Sequence, residues 1–467
     1  MERTDAEPLP IAAPSTVTPV LSARRVPALL AAPVADRRLA AALDLILADQ
    51  DGVTCLTVAS SGRLVYEHEP DTVVVPASVE KLLTATVALE LLGDDHVFHT
   101  PVMAAATPDA DGTITGDLVL VGSGDPLLST PDYPLRFRDQ PQVSTSLDAL
   151  AQALVDAGVR HVTGRVLGDE SRYDDDRYPD AWPERYISQD QSGPLSALSV
   201  DDGWATYPPD PDSHTPDEAP ADDPAATAAQ RLLGLMQAHG ITVDGGAASG
   251  AAPAGAVEVA GVDSPPLTEI VREMLQQSDN QTAELLLKEI AVASGRPGTT
   301  LDGAAAVGDQ LAADGFAVPV VVDGSGLATG DRVTCSLLLA VLDHAGPDSA
   351  LAAGLSVAGT NGTLAQRFLD SPVKGRLKAK TGTLNAVTAL AGYLDTTVGA
   401  RIAFSFVVNT VGADEVDGVT TAQIDADDLA RQETLAEALD QYPEGPALEL
   451  LSPAPVAGPQ ATEPADG

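Results

Sequence analysis

The stretch Ser78-Val79-Glu80-Lys81-Leu82-Leu83-Thr84-Ala85-Thr86-Val87 decides how this chain is read. It follows Pro76, and Val79, Leu82, Leu83 and Val87 recur at the spacing of one helix face. The pattern predicts a helix from Ser78, with the Ser78 hydroxyl at or just before its N-terminus. Lys81 then lies one turn above on the same side, so its amine can touch that hydroxyl. The helix dipole favours negative charge developing on the serine oxygen. A serine hydroxyl becomes a useful nucleophile only beside a base. A lysine can be that base when desolvation or a neighbouring cation loosens its proton.

Two further motifs follow at long spacing. Ser278-Asp279-Asn280 precedes a helical pattern whose apolar face is Ala283, Leu286, Leu287 and Ile290. Ser, Asp and Asn all cap helices well, so this motif alone fits a helix cap equally well. Lys380-Thr381-Gly382-Thr383 leads into the β-like run Ala386 to Leu394; a turn at Thr396 to Gly399 and a return run from Ile402 to Thr410 predict adjacent antiparallel strands. Near the start, Val53 to His68 reads as a hairpin about Ser60-Ser61-Gly62.

The chain has 467 residues, enough for two or three domains, and a formal charge of −42. That charge argues against nucleic acid as a partner and against electrostatic docking to anionic lipid, and suits a soluble secreted or halotolerant protein. Lysine is scarce: only Lys81, Lys288, Lys374, Lys378 and Lys380 occur among 26 basic residues. Arginine cannot serve as a base, so the lysines retained in two motifs carry information. Cys55 and Cys335 lie in no metal or redox spacing and read by default as buried free thiols, with a disulfide as the alternative. The seven histidines are scattered and form no ligand cluster, so no metal and no cofactor is expected.

Residues 1–25 and 443–467 read as a disordered N-terminal segment and a disordered tail, rich in Pro and Ala. The Pro/Asp-rich stretch from Tyr207 to Pro224 reads as an exposed loop. About 200 residues separate Ser78 from Ser278, too many for a simple connection. They hold their own strand-like run (Gly116 to Gly122) and helix-like runs (Leu147 to Ala157, Ala225 to Ala238). Residues 101–263 are therefore expected to form an inserted domain within a discontinuous catalytic domain, 26–100 plus 264–442. No run reaches transmembrane length, and Met1 to Asp5 shows no export pattern, which taken alone reads as cytoplasmic or truncated.

S-x-x-K, S-D-N and K-T-G in this order are the motif set of penicillin-binding proteins and class A β-lactamases. With the long insertion, the chain resembles the D-alanyl-D-alanine carboxypeptidases of peptidase family S13, the class C low-molecular-mass penicillin-binding proteins. Gly122 to Pro126, Leu195 to Asp201, Ser264 to Leu267, Asp323 to Leu327 and Ala358 to Leu364 also look like the family, over about residues 45 to 415. The Ala-rich, Lys-poor character is that of actinobacterial members. The resemblance implies an α/β (α+β) penicillin-binding-protein/β-lactamase-like catalytic domain, with an antiparallel sheet flanked by helices and an inserted second domain. It also implies an extracytoplasmic home. Family members often nest a third, small β domain in the insertion, where this chain has its Pro/Asp loop.

By that resemblance, Ser78 attacks the D-Ala–D-Ala bond of peptidoglycan stem peptides and forms an acyl-enzyme, and β-lactam antibiotics acylate it covalently. Lys81 is the expected base, with Lys380 as the cation whose repulsion lowers its pKa. Ser278 relays a proton to the leaving amine, and Asn280 holds Lys81 and the substrate amide. Lys380, Thr381 and Thr383 bind the terminal carboxylate, while Gly382 lets the strand backbone approach the ligand. The N–H groups of Ser78 and Thr383 form the oxyanion hole. Family members also act as DD-endopeptidases on cross-links. The competing readings are a β-lactamase with the same motifs, a non-catalytic cell-wall scaffold, and an esterase or D-aminopeptidase, which carries Tyr-x-Asn where this chain has Ser278-Asp279-Asn280.

Overall fold

The computed structural model describes residues 26–48, 50, 52–137, 140–208, 219–418 and 426–443. The expected disordered segment 1–25 and all but the first residue of the expected tail lie outside them. Six strands form the main sheet: β1 (Val53–Ser60), β2 (Arg63–His68), β3 (Ser356–Val357), β4 (Leu377–Leu384), β5 (Val387–Asp395) and β6 (Arg401–Asn409), in the spatial order β3-β4-β5-β6-β1-β2. Every pairing is antiparallel. The hairpin β1–β2 and the return pair β5–β6 are as the sequence predicts. The K-T-G motif does not merely lead into a strand but sits within one, β4.

The period-2 pattern sorts side chains by size as well as by polarity. On one face, Cys55, Ala59, Ala389, Ala391, Ala403 and Val407 join a core made largely of helices. On the other, Leu56, Val58, Leu390, Phe404 and Phe406 pack with α1 (Val26–Leu47) and Leu435, Ala436 and Leu439 near the C-terminal end. The small residues let helices approach the sheet closely. Against that face lie α2 (Lys81–Leu92), α3 (Leu267–Gln277), α4 (Asn280–Ala293) and α5 (Cys335–Ala345).

α2 departs from the one-sided helix predicted for it. Residues Lys81 to Ala88 are buried all round, the signature of a central core helix. Ser78 precedes it in a single 3-10 turn, Ala77–Glu80. Ala77 has φ +51°, a left-handed conformation costly for a residue with a β-carbon.

The expectation of free thiols is overturned. Cys55 in β1 and Cys335 at the start of α5 form a disulfide with Cα atoms 5.8 Å apart. Sequence separation of 280 residues hid the pairing, because only the packing of α5 on the sheet brings the two together. The same seam is hydrogen-bonded: the Thr57 and Ser405 hydroxyls both donate to the Cys335 carbonyl, at 3.0 and 2.8 Å.

A second sheet is made between residues 99 and 263. Its order is Ala247–Ser249, Val166–Asp169, Leu118–Val121, His99–Ala104 and Val257–Asp263. Parallel pairs join the first three strands and antiparallel pairs the rest. Helices Leu147–Asp156 and Pro224–Ala238 fill a separate apolar core beneath it. Entry and exit strands are neighbours, so this unit leaves and rejoins the main chain at one place. Of the Pro/Asp stretch Tyr207 to Pro224, residues 209–218 lie outside the described residues; Ala219–Pro220 pairs with Trp204–Thr206 in a short ribbon, and Pro224 begins a helix.

Candidate active site

The three motifs converge where the Ala77–Glu80 turn meets β4 and the start of α4. Lys81 is 0 % exposed. Its Nζ lies 3.2 Å from Ser78 Oγ, 2.7 Å from Asn280 Oδ1 and 2.7 Å from the Ser325 carbonyl. Asn280 is the first residue of α4, whose N-cap is Asp279; the Asp279 carboxylate accepts the Thr282 N–H at 2.7 Å. The helix-cap reading of the S-D-N motif holds, at Asp279. Asp279 caps the helix while Ser278 and Asn280 face the lysines.

Ser278 sits in the corner between α3 and α4 with φ +60°. Such strain in a residue other than glycine persists only where its surroundings enforce it. Lys380 Nζ donates to Ser278 Oγ at 2.8 Å and to the Thr381 carbonyl at 2.9 Å. Thr381 donates its hydroxyl to Thr363 Oγ1 at 2.9 Å. Thr363 lies in the Ala358 to Leu364 stretch, to which the sequence reading gave no role. Thr383 is exposed near the end of β4. Gly382 is close-packed in a different sense from that expected: a β-carbon there would meet the Pro76 carbonyl at 2.9 Å. Its lack of a side chain seats β4 against the turn that carries Ser78.

Electrostatics reverse one expectation. Burial is the main cause that lowers the Lys81 pKa to about 8, opposed by the negative charges of Asp323, Asp279, Glu284 and Glu80. Lys380 is lowered well below the usual lysine range, first by burial and then by repulsion from Lys81. The cation–cation effect thus weakens Lys380's hold on its proton, whereas desolvation is what weakens that of Lys81.

The sequence reading missed the carboxyls around Lys81. Glu80, taken as a spacer, is 0 % exposed, as are Glu284, Asp323 and Asp331. Asp323 accepts the Trp182 indole N–H at 2.8 Å. Trp182 is itself buried, with its ring N–H turned onto this acid. The inserted segment also reaches the motif: the Asn280 amide donates to the Gln191 carbonyl at 2.6 Å. A cleft of about 220 Å³ opens there, lined among others by Tyr133, Gln191, Asp202, Trp204 and Ser278. Among the described residues, no group of three or more His, Cys, Asp or Glu is placed to hold a metal ion.

Comparison with known proteins identifies the family. The profile of the D-Ala-D-Ala carboxypeptidase 3 (S13) family matches residues 39–218 and 209–432. A D-alanyl-D-alanine carboxypeptidase of Actinomadura sp. (strain R39) is 31% identical over 447 residues, covering 79% of this chain and 80% of that protein. A carboxypeptidase of Mycobacterium tuberculosis is 32% identical over 388 residues, covering 80% of each. The crystal structure of penicillin-binding protein 4 from Haemophilus influenzae superposes with a TM-score of 0.69 at 20% identity, over 85% of this chain and 98% of that one. That likeness shows the penicillin-binding-protein fold, and the sequence matches go further: the chain belongs to the D-Ala-D-Ala carboxypeptidase 3 (S13) family.

Proposed function

We propose that this protein is a serine-type D-Ala-D-Ala carboxypeptidase that cleaves peptidoglycan stem peptides through an acyl-enzyme on Ser78. The observation that carries the reading is how Lys81 is held. A neutral lysine amine has two N–H groups and one lone pair. Asn280 Oδ1 and the Ser325 carbonyl, both at 2.7 Å, take the two N–H groups. The lone pair is left to Ser78 Oγ at 3.2 Å, in position to accept its proton.

In this mechanism Lys81 removes the Ser78 proton as Oγ attacks the carbonyl of the penultimate D-Ala. The backbone N–H groups of Ser78 and Thr383 stabilise the oxyanion. Ser278 holds its oxygen on Lys380 and relays the proton that Lys81 took from Ser78: it gives its own O–H proton to the departing amine and takes one in return from the Lys81 ammonium, which leaves Lys81 neutral again. Lys380, Thr381 and Thr383 receive the terminal carboxylate. Its arrival supplies Lys380 with the counter-charge that burial denies it. Water then releases the shortened peptide. Asn280 orients Lys81 and the substrate amide. The same step on a β-lactam ring gives a covalent adduct, because that ring carries the corresponding amide and carboxylate.

We further propose that residues 26–100 and 264–442 act as the catalytic domain, with 101–263 as an insertion that walls one side of the cleft. The separate sheet and core of the insertion support this division, as does the contact from Gln191 to Asn280. An extracytoplasmic location fits the disulfide, which forms and persists in oxidising compartments. Among the described residues no helix is long and apolar enough to cross a membrane.

The test is release of D-Ala from an acyl-D-Ala-D-Ala peptide by the wild type and not by Ser78→Ala; a folded wild type that releases none contradicts the assignment. The carboxylate assignment has its own check. Thr381→Val keeps the shape of the side chain but loses the hydroxyl. It is expected to lower kcat/KM for a peptide with a free C-terminus by about 10- to 100-fold, the usual value of a hydrogen bond to a charged group. The same peptide amidated at its C-terminus should lose far less. Equal losses on both would place Thr381 outside carboxylate recognition.

A further inference from the structure

Four carboxyls, Glu80, Glu284, Asp323 and Asp331, are buried beneath Lys81, each 0 % exposed. Four negative charges cannot share so dry a place, so the hydrogen bonds decide where charge resides. Neither oxygen of Glu80 has a hydrogen-bond partner. Glu284 accepts the Gly324 and Ser325 N–H groups on one oxygen, at 2.9 and 2.8 Å, and nothing on the other. Asp331 accepts the Val322 N–H at 2.7 Å on one oxygen and nothing on the other, and burial pushes its carboxyl well above the usual carboxylate range. Asp323 alone is fully served. It accepts the Trp182 indole N–H at 2.8 Å, the Ser325 hydroxyl at 3.2 Å, and the Gly326 and Ala328 N–H groups at 2.7 and 2.6 Å.

These bonds fold residues 323–328 into a tight loop against the nucleophile turn. Gly326 has φ +79°, and a β-carbon there would meet the Ala77 carbonyl at 2.1 Å. Thr84 of α2 donates to the Gly324 carbonyl at 2.8 Å. The loop ends up presenting the Ser325 carbonyl to Lys81. We propose that Asp323 is a positioning residue for Lys81: its carboxylate holds the loop whose Ser325 carbonyl takes one Lys81 N–H. The proposal rests on the reading of Lys81 as the base.

The groups facing Lys81 are Glu80 from the turn, Asp323 from the loop, Asp279 and Glu284 from the start of α4, and Lys380 from β4. Burial lowers the lysine and Asp323 is the largest opposing influence, so removing its charge lowers the Lys81 pKa further below about 8. A larger fraction of Lys81 is then neutral at low pH.

The experiment is the second-order rate of Ser78 acylation by benzylpenicillin from pH 5.5 to 10, in the wild type, Asp323→Asn and Glu80→Gln. The wild type should show an acid limb in which rate rises with pH. In Asp323→Asn the limb should move down by about one unit or more. Its rate at pH 6, as a fraction of its own plateau, then rises about tenfold. Burial pushes the Glu80 carboxyl well up toward its neutral form, and its pull on Lys81 is the weakest of the four carboxyls, so Glu80→Gln should leave the limb nearly in place. A uniform loss in Asp323→Asn with an unmoved limb would make Asp323 merely structural and overturn the proposal. A limb that moves down in Glu80→Gln would put the charge on the wrong residue. That arm decides even if near-UV circular dichroism shows Asp323→Asn to be unfolded. Absence of any acid limb in an acylating wild type would instead defeat the reading of Lys81 as base.

Discussion

Lys81→Arg is expected to slow acylation of Ser78 by about 100- to 10,000-fold, the range spanned by general acid–base catalysis. The substitution keeps a positive charge, so a purely electrostatic role for Lys81 would leave much of the rate. It removes the one property the geometry demands, a lone pair directed at Ser78 Oγ, because guanidinium does not give up its proton in proteins. Sterics are the confounding effect, since Lys81 is fully enclosed and arginine is larger. Lys81→Met separates the two: it has similar bulk, no charge and no base. The two variants should acylate at similarly low rates, measured by rapid-quench mass spectrometry on protein whose melting curve is cooperative. A Lys81→Arg protein acylating at near-normal rate would end the assignment.

Loss of the Cys55–Cys335 bond is expected to cost about 2–5 kcal/mol of stability. The bond closes a loop of 280 residues and pins α5 to β1 inside the main core. In the double variant Cys55→Ala/Cys335→Ala, the hydrogen bonds from Thr57 and Ser405 to the Cys335 carbonyl can remain. The loss therefore falls mainly on the cross-link itself. The check is the urea midpoint of the two proteins, followed by tryptophan fluorescence; Trp182 packs beside Ala77 and Leu327 and reports on this region. An unchanged midpoint would show that the helix–sheet seam is held by packing alone. Both sulfurs are fully buried, so reductant should act slowly on the native protein and quickly near the midpoint.

What was legible in the sequence was what local spacing encodes. The three residues from Ser78 to Lys81, the cap at Asp279 and the alternation in Ile402 to Thr410 each fix geometry within one element. The scarcity of lysine was equally informative. Lys81, Lys288 and Lys380 are among the largest fully buried side chains, and Lys288 pairs with Asp174. Features that need two distant segments were not legible. Cys55 and Cys335 meet only once α5 packs on the sheet. Glu80, Glu284, Asp323 and Asp331 read singly as ordinary acids in a chain with 68 of them. Only their convergence around Lys81 gives them meaning. The source of the low Lys81 pKa was misjudged for the same reason. Motif proximity suggested Lys380, whereas the depth of α2 in the core makes burial dominant. That depth was itself hidden, because Lys81, Thr84 and Thr86 read as polar positions open to water until neighbouring helices enclose them.

The central claim is that Ser78 is an acylated nucleophile, and the most direct measurement is the intact mass of wild type and Ser78→Ala after brief incubation with benzylpenicillin. An increase by one penicilloyl group is expected in the wild type and none in the variant. Penicillin left intact with no adduct on a folded wild type would contradict it and favour an idle scaffold. Penicillin consumed without a lasting adduct would mean that deacylation is fast and that the protein works as a β-lactamase.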